Sequence, residues 1–153
     1  MTLPAWLDPL FDAEEMRAAD RWAIEEQGVP SIDLMERAGA GLARLTAETS
    51  GDGPVRVVIG KGNNGGDGLV VARLLREEGR RVDVLATGDV AELKGDARAN
   101  LERLPGDAPE EFESAKLEGS GAIVDAIFGT GFEGEPRRYS KAPRGFVGAA
   151  TEP

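Results

Sequence analysis

The chain has 153 residues, 41% apolar and 30% charged, with 18 basic against 28 acidic side chains and a net charge of −10. That length suits one domain with its own core, and the acidic balance excludes duplex nucleic acid and anionic membrane as general partners. Cysteine and histidine are both absent, which excludes disulfides, thiolate chemistry and imidazole catalysis; proton transfer falls to Asp, Glu, Lys, Tyr or water, and any metal must be a hard one held by oxygen.

The opening MTLPAWLDPLF lacks a basic n-region and is broken by Pro4, Asp8 and Pro9, so it does not read as a signal peptide. No apolar run reaches membrane-spanning length, and a soluble cytoplasmic protein is expected. Residues 12 to 27 predict a helix, with Asp12 as N-cap, Glu15 as its capping-box partner and Gly28 as the stop. Met16, Ala19, Ala23 and Ile24 share one face. A second helix is expected from Ser31 to Thr49, with Leu34, Ala38, Leu42 and Leu45 as its apolar stripe, packed on the sheet or on a partner subunit. Gly39 and Gly41 cost helix stability, which a close helix approach explains.

Residues 54 to 79, PVRVVIGKGNNGGDGLVVARLLREEG, carry the strongest local signal. A β-rich run enters a glycine-crowded turn, and an apolar helical run leaves it. Glycine lets main-chain N–H groups approach a ligand, and the following helix presents unpaired donors and a partial positive charge, so anions bind there. GKGNNG matches G-x-G-x-x-G in the strand-to-helix context that this template needs. Asn63, Asn64 and Asp67 add two amides and a carboxylate; turn and cap preferences account for them as well as ligand contact does. No Gly-Lys-Ser/Thr closes the loop, which disfavours a triphosphate P-loop.

Gly79 ends that helix, and Val82 to Ala86 supply the next strand through a right-handed crossover. Asp83 or Asp89 stands where a ribose carboxylate is expected, although Asp89 with Glu92 also makes a capping box, the preferred reading. Residues 90 to 104 predict a polar helix stopped by Pro105 and Gly106, and EEFESAKLEGS is a weak edge strand or a loop. Ala122 to Phe128 form a third strand whose near-continuous apolar run predicts burial on both faces. A buried Asp125 must then be hydrogen-bonded, protonated or bound to a cation. Gly129, Thr130, Gly131 and Gly134 form a second donor-rich loop, again at the carboxyl end of a strand, where ligands bind in parallel sheets. From Arg137 four basic residues stand against one acidic, with no apolar period, and residues 137 to 153 read as an atypical basic tail.

Three motifs in this order, LMERAG at 34 to 39, GKGNNGGDGLVVARLL at 60 to 75 and VDAIFGTGF at 124 to 132, resemble the YjeF N-terminal domain family, the NAD(P)H-hydrate epimerases. The resemblance implies a three-layer α/β/α Rossmann-like parallel sheet preceded by a helix pair. It also implies a dimer and an isomerase that interconverts the R and S epimers at C6 of hydrated NADH and NADPH (NADHX and NADPHX), for a companion dehydratase that accepts the S form. Carried over position by position, Asn63, Asn64, Gly65, Gly66 and Asp67 resemble the first substrate-binding loop. Gly129, Thr130, Gly131, Phe132, Glu133, Gly134 and Glu135 resemble the second, and Asn64 and Asp125 the potassium ligands.

The family continues with a helix and a strand ending in an Asp-x-Pro-Ser-Gly turn, and no such turn occurs here. Its aspartate is the acid or base that the resemblance implies, so no catalytic residue is assigned, and residues 1 to 136 are expected to be the N-terminal part of such a domain, truncated and with an incomplete sheet. A non-catalytic scaffold like those in RNA-decapping assembly factors is the alternative. The acidic surface and the two intact loops argue against it. An ordinary nicotinamide dehydrogenase lacks a visible substrate base.

Overall fold

The computed structural model describes residues 11 to 130. Four parallel strands form one sheet in the order β3-β2-β1-β4, with β1 at Val55–Ile59, β2 at Val82–Ala86, β3 at Glu110–Glu111 and β4 at Ala122–Ala126. The helices are α1 (Ala13–Arg21), α2 (Ser31–Thr49), α3 (Asn63–Glu77) and α4 (Gly95–Arg103).

The two central strands share a burial pattern because both faces are covered: Val55, Val57 and Ile59 point to one side and Val58 to the other, and β2 repeats this. The first set packs with Val124 and Ala126 beneath Leu69, Ala72 and Leu75 of α3. Each aliphatic side chain buried this way stabilises the fold by about 1.5–3 kcal/mol. On the opposite face Arg56 and Asp83, paired in register across β1 and β2, form an ion pair at 2.7 Å. Arg56 Nε also donates to the main-chain oxygen of Lys116 at 2.7 Å, fastening the connection that leads into β4.

The Asp12–Glu15 capping box forms with both of its hydrogen bonds. The helix expected over residues 12 to 27 continues past α1 as a wider π-helical turn, Trp22–Glu26, and neither segment buries a residue among those described. For α2 the expected bounds hold, but the expected stripe does not pack on the sheet of this chain. Met35, Gly39, Ala43 and Thr46 point inward, while Leu42 and Leu45 are 38% and 55% exposed. Small residues decide the seam, because a Cβ on Gly39 would lie 2.5 Å from Val70 Cβ; no large side chain fits there.

The helix expected over 90 to 104 is split into a 3₁₀ turn at Val90–Glu92, capped by Asp89, and α4. The EEF segment supplies the short edge strand β3. The expectation that residues 122 to 128 are buried on both faces is also corrected: β4 stops at Ala126, pairs with β1 alone among the described residues, and leaves Ile123 and Asp125 exposed. A strand at the edge of the described sheet alternates because one face lacks a covering layer. No helix among the described residues is long and apolar enough to cross a membrane.

Candidate nucleotide-binding site

Strand β1 ends at Ile59, and Gly60 donates its N–H to Ala126 O at 3.0 Å, so the glycine turn starts against the end of β4. A Cβ on Gly60 would collide with the Ile127 carbonyl, and one on Gly65 with the Gly60 carbonyl. The chain needs glycine at both places for close backbone approach. Gly62 is the N-cap of α3 and supplies no side-chain cap, which leaves the first-turn N–H groups without a partner from that residue, as at helix ends that bind anions.

Among the expected site residues, Asn63 is exposed, Asn64 and Asp67 are half-buried, and Gly65 and Gly66 are buried. A Cβ on Gly66 would strike Met35 Sδ and approach Ala97 Cα; this glycine lets α2 and α4 close on α3. Asn64 Nδ2 donates to Phe128 O at 2.9 Å, and a Cβ on Gly129 would lie 3.1 Å from Asn64 Cβ. The two loops therefore meet at Asn64. Arg17 Nη1 donates to Thr130 O at 2.6 Å, which ties α1 to the same place. Gly131, Phe132, Glu133, Gly134 and Glu135 lie outside the described residues.

Asp67 sits in the second turn of α3, past the N-cap Gly62, so capping does not account for it. Burial pushes its carboxyl up to about 6, with a further push from the negative charge of Asp20 on α1. A carboxyl so shifted, beside an anion-binding helix end, can donate or accept a hydrogen bond near neutral pH. Asp125 is exposed rather than buried, and its Oδ1 accepts from Ile127 N at 3.0 Å. The main-chain hydrogen bond expected for this carboxylate is formed, and it occupies one of the two oxygens.

Potassium takes carbonyl, amide and carboxylate oxygens, and the local donor set fits it. The Asn64 amide spends its N–H on Phe128, leaving Oδ1 open, and Asp125 spends one oxygen on Ile127 and keeps the other. No group of three or more acidic side chains that could hold a metal forms among the described residues.

Asp83 is engaged by Arg56, and Asp89 Oδ1 accepts from Ala91 N at 2.8 Å. The capping reading of Asp89 holds through the turn's second residue, but the expected box partner Glu92 pairs with Lys61 instead. Two contributors were not visible in the sequence. Arg17 is 113 residues from Thr130, and Asp20 bears on Asp67 from a helix with no motif of its own; neither has a periodic or spacing signal.

Strand β1 lies between β2 and β4, so the chain order reverses beside it and both glycine turns leave from the carboxyl ends at that switch point. The arrangement defines a Rossmann-like α/β protein with two glycine turns at the place where such sheets bind ligands. The family model described as YjeF-related protein N-terminus matches residues 31–143, and the chain belongs to this family. It is 38% identical over 137 residues to an NAD(P)H-hydrate epimerase of Rhodopirellula baltica, covering 86% of this chain and 56% of that protein. It is 39% identical over 165 residues to a bifunctional NAD(P)H-hydrate repair enzyme, Nnr, of Salinibacter ruber, covering 95% of this chain and 30% of that one. The crystal structure of yeast ynu0 superposes with a TM-score of 0.72 at 27% identity, over 86% of this chain and 61% of the yeast chain. The chain thus spans from under a third to somewhat over half of these relatives' lengths.

Proposed function

We propose that this chain provides the substrate-binding loops of an NAD(P)H-hydrate epimerase, the activity that the Rhodopirellula relative's name states. The observation that carries this reading is the contact between the two glycine turns through Asn64, Phe128 and Gly129, which joins an anion-binding helix end to a second donor-rich loop. The pyrophosphate of the hydrate fits the first turn of α3, where uncapped N–H groups need no lysine. Asp67, in the next turn of the same helix, has a carboxyl that keeps a proton in part of the population near neutrality, suited to a hydroxyl that both donates and accepts.

Epimerisation at C6 breaks a bond at that carbon and remakes it on the other face, with no net change in protons. The role of Asn64, Asp67 and the loop from Gly129 to Glu135 is to hold the ring while this happens. Asn64 and Asp125 hold potassium, which when bound supplies positive charge to offset the anionic substrate. The fusion named in bifunctional relatives supports coupling to a dehydratase, and a homodimer in the cytoplasm is the proposed setting. R-NADHX supplied with potassium and an S-specific dehydratase tests the activity. Restored NADH above the uncatalysed rate supports the proposal; a rate equal to the chain-free control, beside an active relative, refutes it for this chain.

A further inference from the structure

A cleft of about 430 Å³ opens beyond the carboxyl ends of β2 and β3, separate from the turns described above. Its volume lies within the usual range for small-molecule sites. Phe112 N donates to Ala86 O at 2.9 Å, and Thr87 N and Oγ1 donate to Ile59 O at 3.0 and 3.1 Å, so both walls are fastened to strand ends. Val90, Pro109 and Phe112 give it an apolar lining, and Asp89, Glu110 and Glu111 make its rim acidic.

The cleft adjoins the glycine turn. A Cβ on Gly88, in the cleft wall, would lie 2.5 Å from Lys61 Cε, and Lys61 directly precedes Gly62, the N-cap of α3. Its ammonium group pairs with Glu92. A dinucleotide with its pyrophosphate on α3 must send one half toward β4 and the other over β2, because β1 lies between them. With the hydrated ring on the Asp67 and β4 side, the adenosine half is left for this cleft.

We propose that the cleft is the adenosine subsite of the hydrate substrate, and that its acidic rim selects the 2′-hydroxyl of NADH hydrate over the 2′-phosphate of NADPH hydrate. This rests on the function proposed above. The apolar side chains suit the faces of an adenine ring. Asp89, exposed in the cleft lining, spends Oδ1 on Ala91 N, which leaves its second oxygen to accept from a ribose hydroxyl. Glu110 is partly offset by Lys116 at 2.8 Å, and Lys61, held between Glu92 and Asp89, partly offsets Asp89, so the rim keeps a net negative charge carried by Asp89 and Glu111 that repels a phosphate. At water-like dielectric this amounts to on the order of tenfold in affinity for a doubly charged group several ångströms from two carboxylates.

The test is calorimetric titration of the full chain, in potassium buffer of fixed ionic strength, with ADP-ribose and with 2′-phospho-ADP-ribose. The unmodified chain is expected to bind the first about tenfold more tightly. Asp89→Asn, which keeps an oxygen for the cap, and Glu111→Gln, at an exposed position, should each narrow that gap, and together reduce it below about threefold. Binding of both ligands with equal affinity in the unmodified chain overturns the subsite while leaving the epimerase reading in place. Absence of binding by either ligand overturns both.

Discussion

Gly39 and Gly41 lie two positions apart in α2, yet the same substitution should act on them with opposite sign. A methyl group at Gly39 would stand 2.5 Å from both Cβ and Cγ1 of Val70, a side chain with no exposure, and 3.2 Å from Asp67 O. Carbon atoms pack at about 3.5–4.0 Å, so α2 must retreat from α3 by roughly an ångström. Such overpacking costs about 1–3 kcal/mol, against about 1 kcal/mol regained in helix propensity. Gly39→Ala should therefore lose up to about 2 kcal/mol. At Gly41 nothing lies within 4 Å, and Gly41→Ala should gain up to about 1 kcal/mol. Urea denaturation of the two variants beside the unmodified chain reads the difference, as midpoints displaced in opposite directions. Because Asp67 is pushed by the same methyl group, Gly39→Ala should also weaken ADP-ribose binding. Equal midpoints, or a stabilised Gly39→Ala, would refute the close α2–α3 seam.

Other perturbations address the site directly. Asp67 binds its proton more tightly folded than unfolded, with a carboxyl at about 6 against the ordinary 3.8; stability should therefore be highest below the ordinary value, fall as pH rises toward 6 and stay lower above. Asp67→Asn should remove that slope and be more stable at pH 7 by about 1–2 kcal/mol, after discounting for the carboxylate's remaining contact with water, while losing ligand affinity; denaturation at pH 4 and pH 7 checks the sign. Asp83→Asn leaves the Arg56 guanidinium without its ion-pair partner and should cost about 1–3 kcal/mol, with ADP-ribose affinity unchanged because Asp83 is not the ribose ligand. Potassium chloride, compared with choline chloride at equal ionic strength, should raise the melting temperature of the unmodified chain but not that of Asn64→Ala or Asp125→Ala; an equal rise in all three contradicts the proposed potassium ligands.

Where local chemistry decides structure, the sequence was easy to read. The capping box at Asp12, the bounds of α2 and the strand-turn-helix around Gly60 follow from neighbours within a few residues, and so does the place where two glycine turns leave a parallel sheet. Which face of α2 points inward was not legible, because counting apolar bulk favours Leu42 and Leu45 whereas the seam is made by Gly39 and Ala43 against Val70. The environment of Asp125 depends on whether another strand lies beyond β4, which its own apolar neighbours cannot report. The tie from Arg17 to Thr130, the charge of Asp20 beside Asp67 and the cleft beyond the ends of β2 and β3 all arise from distant segments meeting in space.

The account rests on two loops, 65 residues apart between Asn64 and Gly129, acting as one grip on a hydrated dinucleotide. Titrating the isotope-labelled chain with NADH hydrate and following its backbone amides by NMR tests this most directly. The expected result is that residues 63 to 67 and residues 128 to 130 shift together along one saturation curve, and that Asn64→Ala weakens both sets alike. Saturable binding that leaves either loop unmoved would contradict the shared site.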